Sequence, residues 1–144
     1  MVVALAACGV GLGAAIYLTV EHFSSSVTLA CPENGAINCL KVTTSKWSYF
    51  AGIPVAVLGV VFFVAMGVLC LPPFWRERRL DYVRLVAATV GVIGVIYLVW
   101  AELFRIEAIC LWCTVVHVST LVLFGAIAWA VSERSEQSAR YGSR

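Results

Sequence analysis

Charge is what this sequence has least of. Asp, Glu, Lys and Arg together make up 12% of its 144 residues, about half the share of an ordinary soluble domain. Histidine is scarce, with two residues. The net charge of +2 is too small to argue for a nucleic-acid partner, whose phosphates are bound by many cations at once. No Gly-rich phosphate-binding fingerprint is present, so NAD and FAD have no support. No internal repeat is visible either. What fills the chain is apolar: 62% of its residues, against roughly 45–50% in soluble domains, with a mean hydropathy of +0.95. A chain of this length is about one domain, and its main solvent is lipid.

Four apolar stretches lie near the roughly 20 residues needed to cross a hydrocarbon core about 30 Å thick. They cover about 1–20, 50–71, 83–101 and 109–131. In lipid every backbone polar group must be paired internally, so each reads as a helix. The expected fold is all-α, an integral membrane bundle of four transmembrane helices over 1–132. A polar first loop spans 21–49, and a polar tail covers 133–144. The first stretch lacks a basic leader and exceeds the usual signal-peptide core, so it reads as a retained helix. Pro54 falls in the first turns of the second helix, where proline is tolerated. Gly52, Gly59, Gly91 and Gly94 read as small residues that let helices approach.

Lys and Arg near helix ends set orientation. Arg76, Arg78, Arg79, Arg84, Arg134, Arg140 and Arg144 share one face with both termini, against Lys41, Lys46 and Arg105 on the other, seven to three. The arginine-rich face is expected in the cytoplasm of a multi-pass cell-membrane protein, with the first and third loops outside.

Six cysteines are many for this length. Cys8 and Cys70 lie in or at the inner end of apolar helices and read as packing groups. The other four fall on the expected outer face, an oxidising compartment. Cys110 and Cys113 form a C-x-x-C at the start of the fourth helix. Residues three apart share a helix face, and the helix N-terminus favours an anion. The unpaired N–H groups and dipole at that end raise the thiolate fraction, the species that attacks disulfides. Cys31 and Cys39 form a second pair around the turn signal Asn34-Gly35. That pair reads either as a fixed structural disulfide or as the first step of a relay through mixed disulfides. Zinc needs two more ligands at suitable spacing, and His22 is the only outer-face histidine outside the fourth helix, so no metal is expected. His117 lies one turn below Cys113 on the same face. An ionisable residue inside a membrane helix is a functional candidate by default. Electrons collected at a thiol pair that opens into lipid need a lipid-soluble two-electron acceptor, which points to a quinone.

The arrangement resembles the vitamin K epoxide reductase family in its bacterial form. The resemblance rests on the four helices, the C-x7-C of Cys31 and Cys39, Ser45 six residues after Cys39, the run Gly52-Ile53-Pro54-Val55-Ala56, and the C-x-x-C at the fourth helix. It implies that Cys31 exchanges with a DsbA-like thioredoxin-fold partner, that Cys39 passes electrons to Cys110, and that Cys113 stands nearest the quinone. It places His117 where animal members carry a tyrosine that bonds the quinone oxygen, and Ser45 beside the same substrate. No clear match exists for the asparagine those members use at the other substrate oxygen. Many bacterial relatives carry a fused thioredoxin-like domain, so here the partner is expected in trans. The expected activity is thiol–disulfide oxidoreduction. It couples a partner dithiol to ubiquinone or menaquinone and supports disulfide formation. Alternatives are reduction of vitamin K or a quinone epoxide, a DsbB-like enzyme, whose cysteine pairs come in the opposite order, and a non-enzymatic membrane protein with static disulfides.

Overall fold

The computed structural model describes residues 1–24, 31 and 35–142. Asn34 of the expected turn and Arg144 of the charge count lie outside the described residues. The described helices are α1 (Val2–Phe23), α2 (Cys39–Thr43), α3 (Val55–Leu69), α4 (Pro72–Trp75), α5 (Arg79–Ala101) and α6 (Leu111–Gly142). A 3-10 turn, Lys46–Ser48, precedes a small hairpin of β1 (Tyr49–Phe50) and β2 (Ile53–Pro54). A π-helical turn, Glu102–Ile106, prolongs α5. α1 packs against α3 and α6, and α5 against the same two.

Among the described residues, three helical spans are long and apolar enough to cross a membrane: Val2–Phe23, Arg79–Ile106 and Leu111–Arg140. α3 is apolar but has 15 residues, about 22 Å at 1.5 Å per residue, short of the hydrocarbon core. The helix expected over 50–71 is therefore corrected at both ends. At its start, Ala51 and Gly52 have φ of 51° and 83°. Positive φ at both central residues makes a two-residue turn whose twist suits a hairpin, so Tyr49 pairs with Pro54 and Phe50 with Ile53. Pro54 belongs to this hairpin and not to the helix; its φ of −57° leads into α3. At the far end Leu71 is extended, with ψ of 151°, because the residue before a proline is pushed away from helical geometry.

The third helix begins at Arg79 rather than 83. The fourth starts at Leu111 and runs past 131 to Gly142, so most of the expected polar tail is helix. Its first polar turns are anchored. Arg134 pairs with Asp81 and donates to the Trp75 carbonyl at 2.9 Å, while Arg78 donates to the Arg134 carbonyl at 2.8 Å.

The main core runs through the bundle and includes Phe63, Met66, Ala88, Leu123 and Ile127, with the free thiols Cys8 and Cys70 buried in it. Most valines and isoleucines point outward instead, among them Val61, Val90, Ile93 and Ile96. A helix apolar all round suits a lipid solvent. Of the glycines read as contact points, Gly91 carries the ring of Phe62, whose Cζ would stand 2.6 Å from a Cβ there, and Gly59 faces the Ala15 methyl. Gly94 and Gly52 face open space, so neither is a packing glycine; Gly52 serves the hairpin turn. Gly11, not singled out in the sequence, has the Phe63 ring seated on it.

At the end of the bundle away from α2, Arg84 is 1% exposed. It pairs with Asp81 and donates to the carbonyls of Leu69 at 3.0 Å and Phe74 at 2.9 Å. One side chain thus supplies donors to carbonyls at the C-terminal ends of α3 and α4, where intrahelical donors run out.

Candidate redox site

The opposite end of the bundle gathers four sulfurs. The first loop returns to the membrane helices as an extended segment. Ile37 pairs with Ile109 in a parallel bridge. The Asn38 side chain then caps α2, accepting the Lys41 N–H at 2.8 Å, as an N-cap asparagine does. That cap starts the helix at Cys39. Cys31 and Cys39 are bonded, with Cα atoms 6.2 Å apart. Cys110 and Cys113 are free thiols.

Cys39 and Cys110 are both fully buried and belong to one apolar cluster with Leu18, Val42, Ile106 and Ala108. Cys31, Trp112 and Cys113 pack at its edge. The oxidised loop pair and the free pair are therefore neighbours across a shared apolar seam.

Cys110 stands just before α6 and caps it with sulfur. The Thr114 N–H closes the first helical turn on the Cys110 carbonyl at 2.9 Å, and the Cys113 N–H points at the Cys110 Sγ at 3.3 Å. A hydrogen bond from the Cys113 thiol is the main influence holding the Cys110 thiol below its ordinary value, and the N–H groups of Cys113 and Trp112 add to it. Burial opposes this without reversing it. The two thiols are thus unequal: Cys110 is held as the better anion, deep in the seam.

Cys113 is partly exposed, and the exposed part lines a cavity enclosed by α1, α3, α5, α6 and the segment after α2. Apolar groups make most of the wall, including Leu18, Ala56, Leu98 and Val116. The polar groups are few: Glu102, His117, His22 and the hydroxyl-bearing Thr43, Ser45 and Ser48. An apolar pocket with a few placed polar groups is the usual form of a small-molecule site. His117 is 6% exposed. Ser45 lines the cavity, and its hydroxyl is committed to the Val42 carbonyl at 2.8 Å. His22 bonds the Tyr49 hydroxyl at 2.9 Å, which ties the end of α1 to the hairpin. Trp47, also in the wall, is flanked by Lys46 and Arg105 over its ring and by Trp100 edge-on.

Every residue singled out in the sequence as a candidate therefore lies at this one end. The disulfide pair, Cys110 and Cys113 meet around the seam, while Cys113, His117 and Ser45 share the cavity. Glu102 was missed. Its signal was present: an acidic residue closing an apolar span, eight positions before Cys110. The span expected over 83–101 stops one residue short of it, whereas the π-turn keeps it in the helix.

A family model described as Vitamin K epoxide reductase family matches residues 2–128 of this chain. No curated protein matches it.

Proposed function

Because the chain belongs to the vitamin K epoxide reductase family, it is a membrane oxidoreductase of thiols and disulfides, and we propose that it reoxidises a DsbA-like thioredoxin-fold partner and reduces a membrane quinone. The single observation that carries this reading is the placement of the two cysteine pairs. Cys39, in the bonded pair, shares a buried apolar cluster with Cys110, while Cys113 of the free pair faces the cavity.

The chemistry runs as two exchanges and one transfer. A partner thiolate attacks the Cys31–Cys39 bond at Cys31. The partner leaves oxidised and both loop cysteines become thiols. The Cys39 thiolate then attacks Cys110 of an oxidised C-x-x-C, and Cys113 departs as a thiolate. Cys31 resolves the Cys39–Cys110 bond, restoring Cys31–Cys39 and leaving Cys110 and Cys113 reduced. That is the distribution described here, one disulfide in the loop and two free thiols at α6. It is the state that delivers two electrons to the cavity, with closure of the Cys110–Cys113 bond coupled to formation of quinol.

His117 and Ser45 border the space where the quinone head would lie. The arginine-rich end faces the cytoplasm and the cysteine end faces outward, by the excess of Arg near the former. α3 completes the bundle as a fourth membrane helix, with the hairpin before it lying at the outer interface.

The test uses purified protein in detergent, a reduced thioredoxin-fold protein and a short-chain quinone. Wild-type protein consumes quinone and partner thiols one for two. Cys113→Ala abolishes quinone loss while the loop pair still exchanges with the partner. Quinone loss that persists in this variant contradicts the assignment.

A further inference from the structure

We propose that Glu102 is the proton carrier of the quinone site, holding the proton that one quinone oxygen takes as the C-x-x-C pair closes. The inference rests on the quinone reading of the cavity given above.

Glu102 is 6% exposed and lines the cavity beside Cys113 and His117. Among the described residues no cation pairs with it; the ion pairs are those of Asp81 at the other end of the bundle. A carboxyl buried in apolar surroundings without a cation is held in its neutral, protonated form, because an isolated buried charge is too costly. Its position is fixed from both ends. The Glu102 side chain takes the backbone N–H of Cys110, so it touches the residue that opens α6. Its main-chain carbonyl accepts the N–H groups of Glu107 and Ala108. Glu107 adopts φ of 54° to end the π-turn. Such turns are rare and concentrate at functional sites. Here the extra residue keeps Glu102 on the cavity side while the chain reverses toward Cys110.

Of the polar groups that share the cavity with it, Cys113 and His117 come from α6, His22 from α1, Thr43 from α2, and Ser45 and Ser48 from the segment after α2; the α3 residues in the wall, such as Ala56, are apolar. Among the described residues no other carboxyl lines the cavity.

The balance is simple. Closing the Cys110–Cys113 bond releases two electrons and two protons, and a quinone takes up two of each. Glu102 gives its proton to the quinone oxygen nearest it and regains one from a departing thiol proton. The second thiol proton leaves to the aqueous face, and the second quinone oxygen is protonated from that face. Glu102 ends as it began.

The test is single-turnover quinol formation by fully reduced protein in detergent, with a short-chain quinone. Glu102→Gln keeps the hydrogen-bond acceptor for Cys110 but loses the exchangeable proton, and is expected to slow quinol formation at least tenfold. Glu102→Asp retains a carboxyl and is expected to keep a third or more of the rate. Added formate is expected to restore a slowed Glu102→Ala variant. Full speed in the Gln variant overturns the proposal. So does equal loss in Asp and Ala variants with no recovery in formate, which marks a purely structural residue. If the Gln variant fails to fold, the Asp and Ala arms decide. Cys113→Ala serves as the reference: if it still forms quinol, the quinone-site reading itself fails, whereas if it is inactive and Gln at 102 is not slow, only the role of Glu102 falls.

Discussion

Ile37 and Ile109 are joined as a parallel bridge between the first loop and the entry to α6. The Ile109 N–H donates to the Ala36 carbonyl at 2.8 Å, and the Asn38 N–H donates to the Ile109 carbonyl at 3.2 Å. Cys39 follows Ile37 by two residues and Cys110 follows Ile109 by one. Two backbone bonds therefore fix the register of Cys39 and Cys110, the two residues between which the proposed exchange runs.

This pairing can be broken selectively. Ile109→Pro removes the donor to Ala36, a bond with a net value of about 1 kcal/mol. Transfer of the disulfide between the loop pair and the C-x-x-C is expected to slow tenfold or more, while the Cys31–Cys39 bond still forms. Acid-quench trapping of thiols with time, in wild type and variant, measures both.

The Cys110 thiol is held below its ordinary value chiefly by the hydrogen bond from Cys113. Cys113→Ala is expected to move the thiolate absorbance of Cys110 to higher pH. In the reduced protein the sign for stability follows. A group whose value is lowered on folding binds fewer protons in the native state, so stability rises with pH between the native value and the unfolded value near 8.5. It is lost again as pH falls through the native value. Melting of the reduced protein across that window, with Cys110→Ala as the flat reference, checks the direction.

Gly11 carries the Phe63 ring between α1 and α3. Gly11→Leu has no room without displacing that ring from the main core. Overpacking of this kind costs about 1–3 kcal/mol, and thermal unfolding in detergent should show it. Gly94→Leu, at a position facing open space, should leave the melting temperature nearly unchanged.

Arg84 is a structural charge. Arg84→Met leaves the carbonyls of Leu69 and Phe74 without that donor and leaves Asp81 with Arg134 alone. Breaking a buried pair from one side costs about 3–5 kcal/mol. Loss of folded protein on detergent extraction is the expected result. Substituting the exposed Arg76 should cost little.

The helices were legible because lipid makes every face apolar, so length and charge depletion sufficed. The gathering of the sulfurs was legible because four of the six cysteines fall at the two connections expected on one face. The hairpin at 49–54 was hidden by its apolar composition: Tyr49, Phe50 and Ile53 look like the start of a span until the backbone at Ala51 and Gly52 is seen. The extension of α6 was hidden for the opposite reason, since polar residues after Val131 carry no membrane signal and are held by contacts from Arg134 and Arg78 that no local pattern announces. Glu102 was concealed by the π-turn, which turns an apparent loop residue back toward Cys110.

The most direct measurement is the identity of the bond trapped when Cys31 and Cys113 are both changed to Ala. With both resolving thiols gone, Cys39 and Cys110 should remain linked after mild oxidation, and mass spectrometry of the digested protein should find the two peptides joined in most molecules. Cys39 and Cys110 recovered as separate, unlinked thiols would contradict the account.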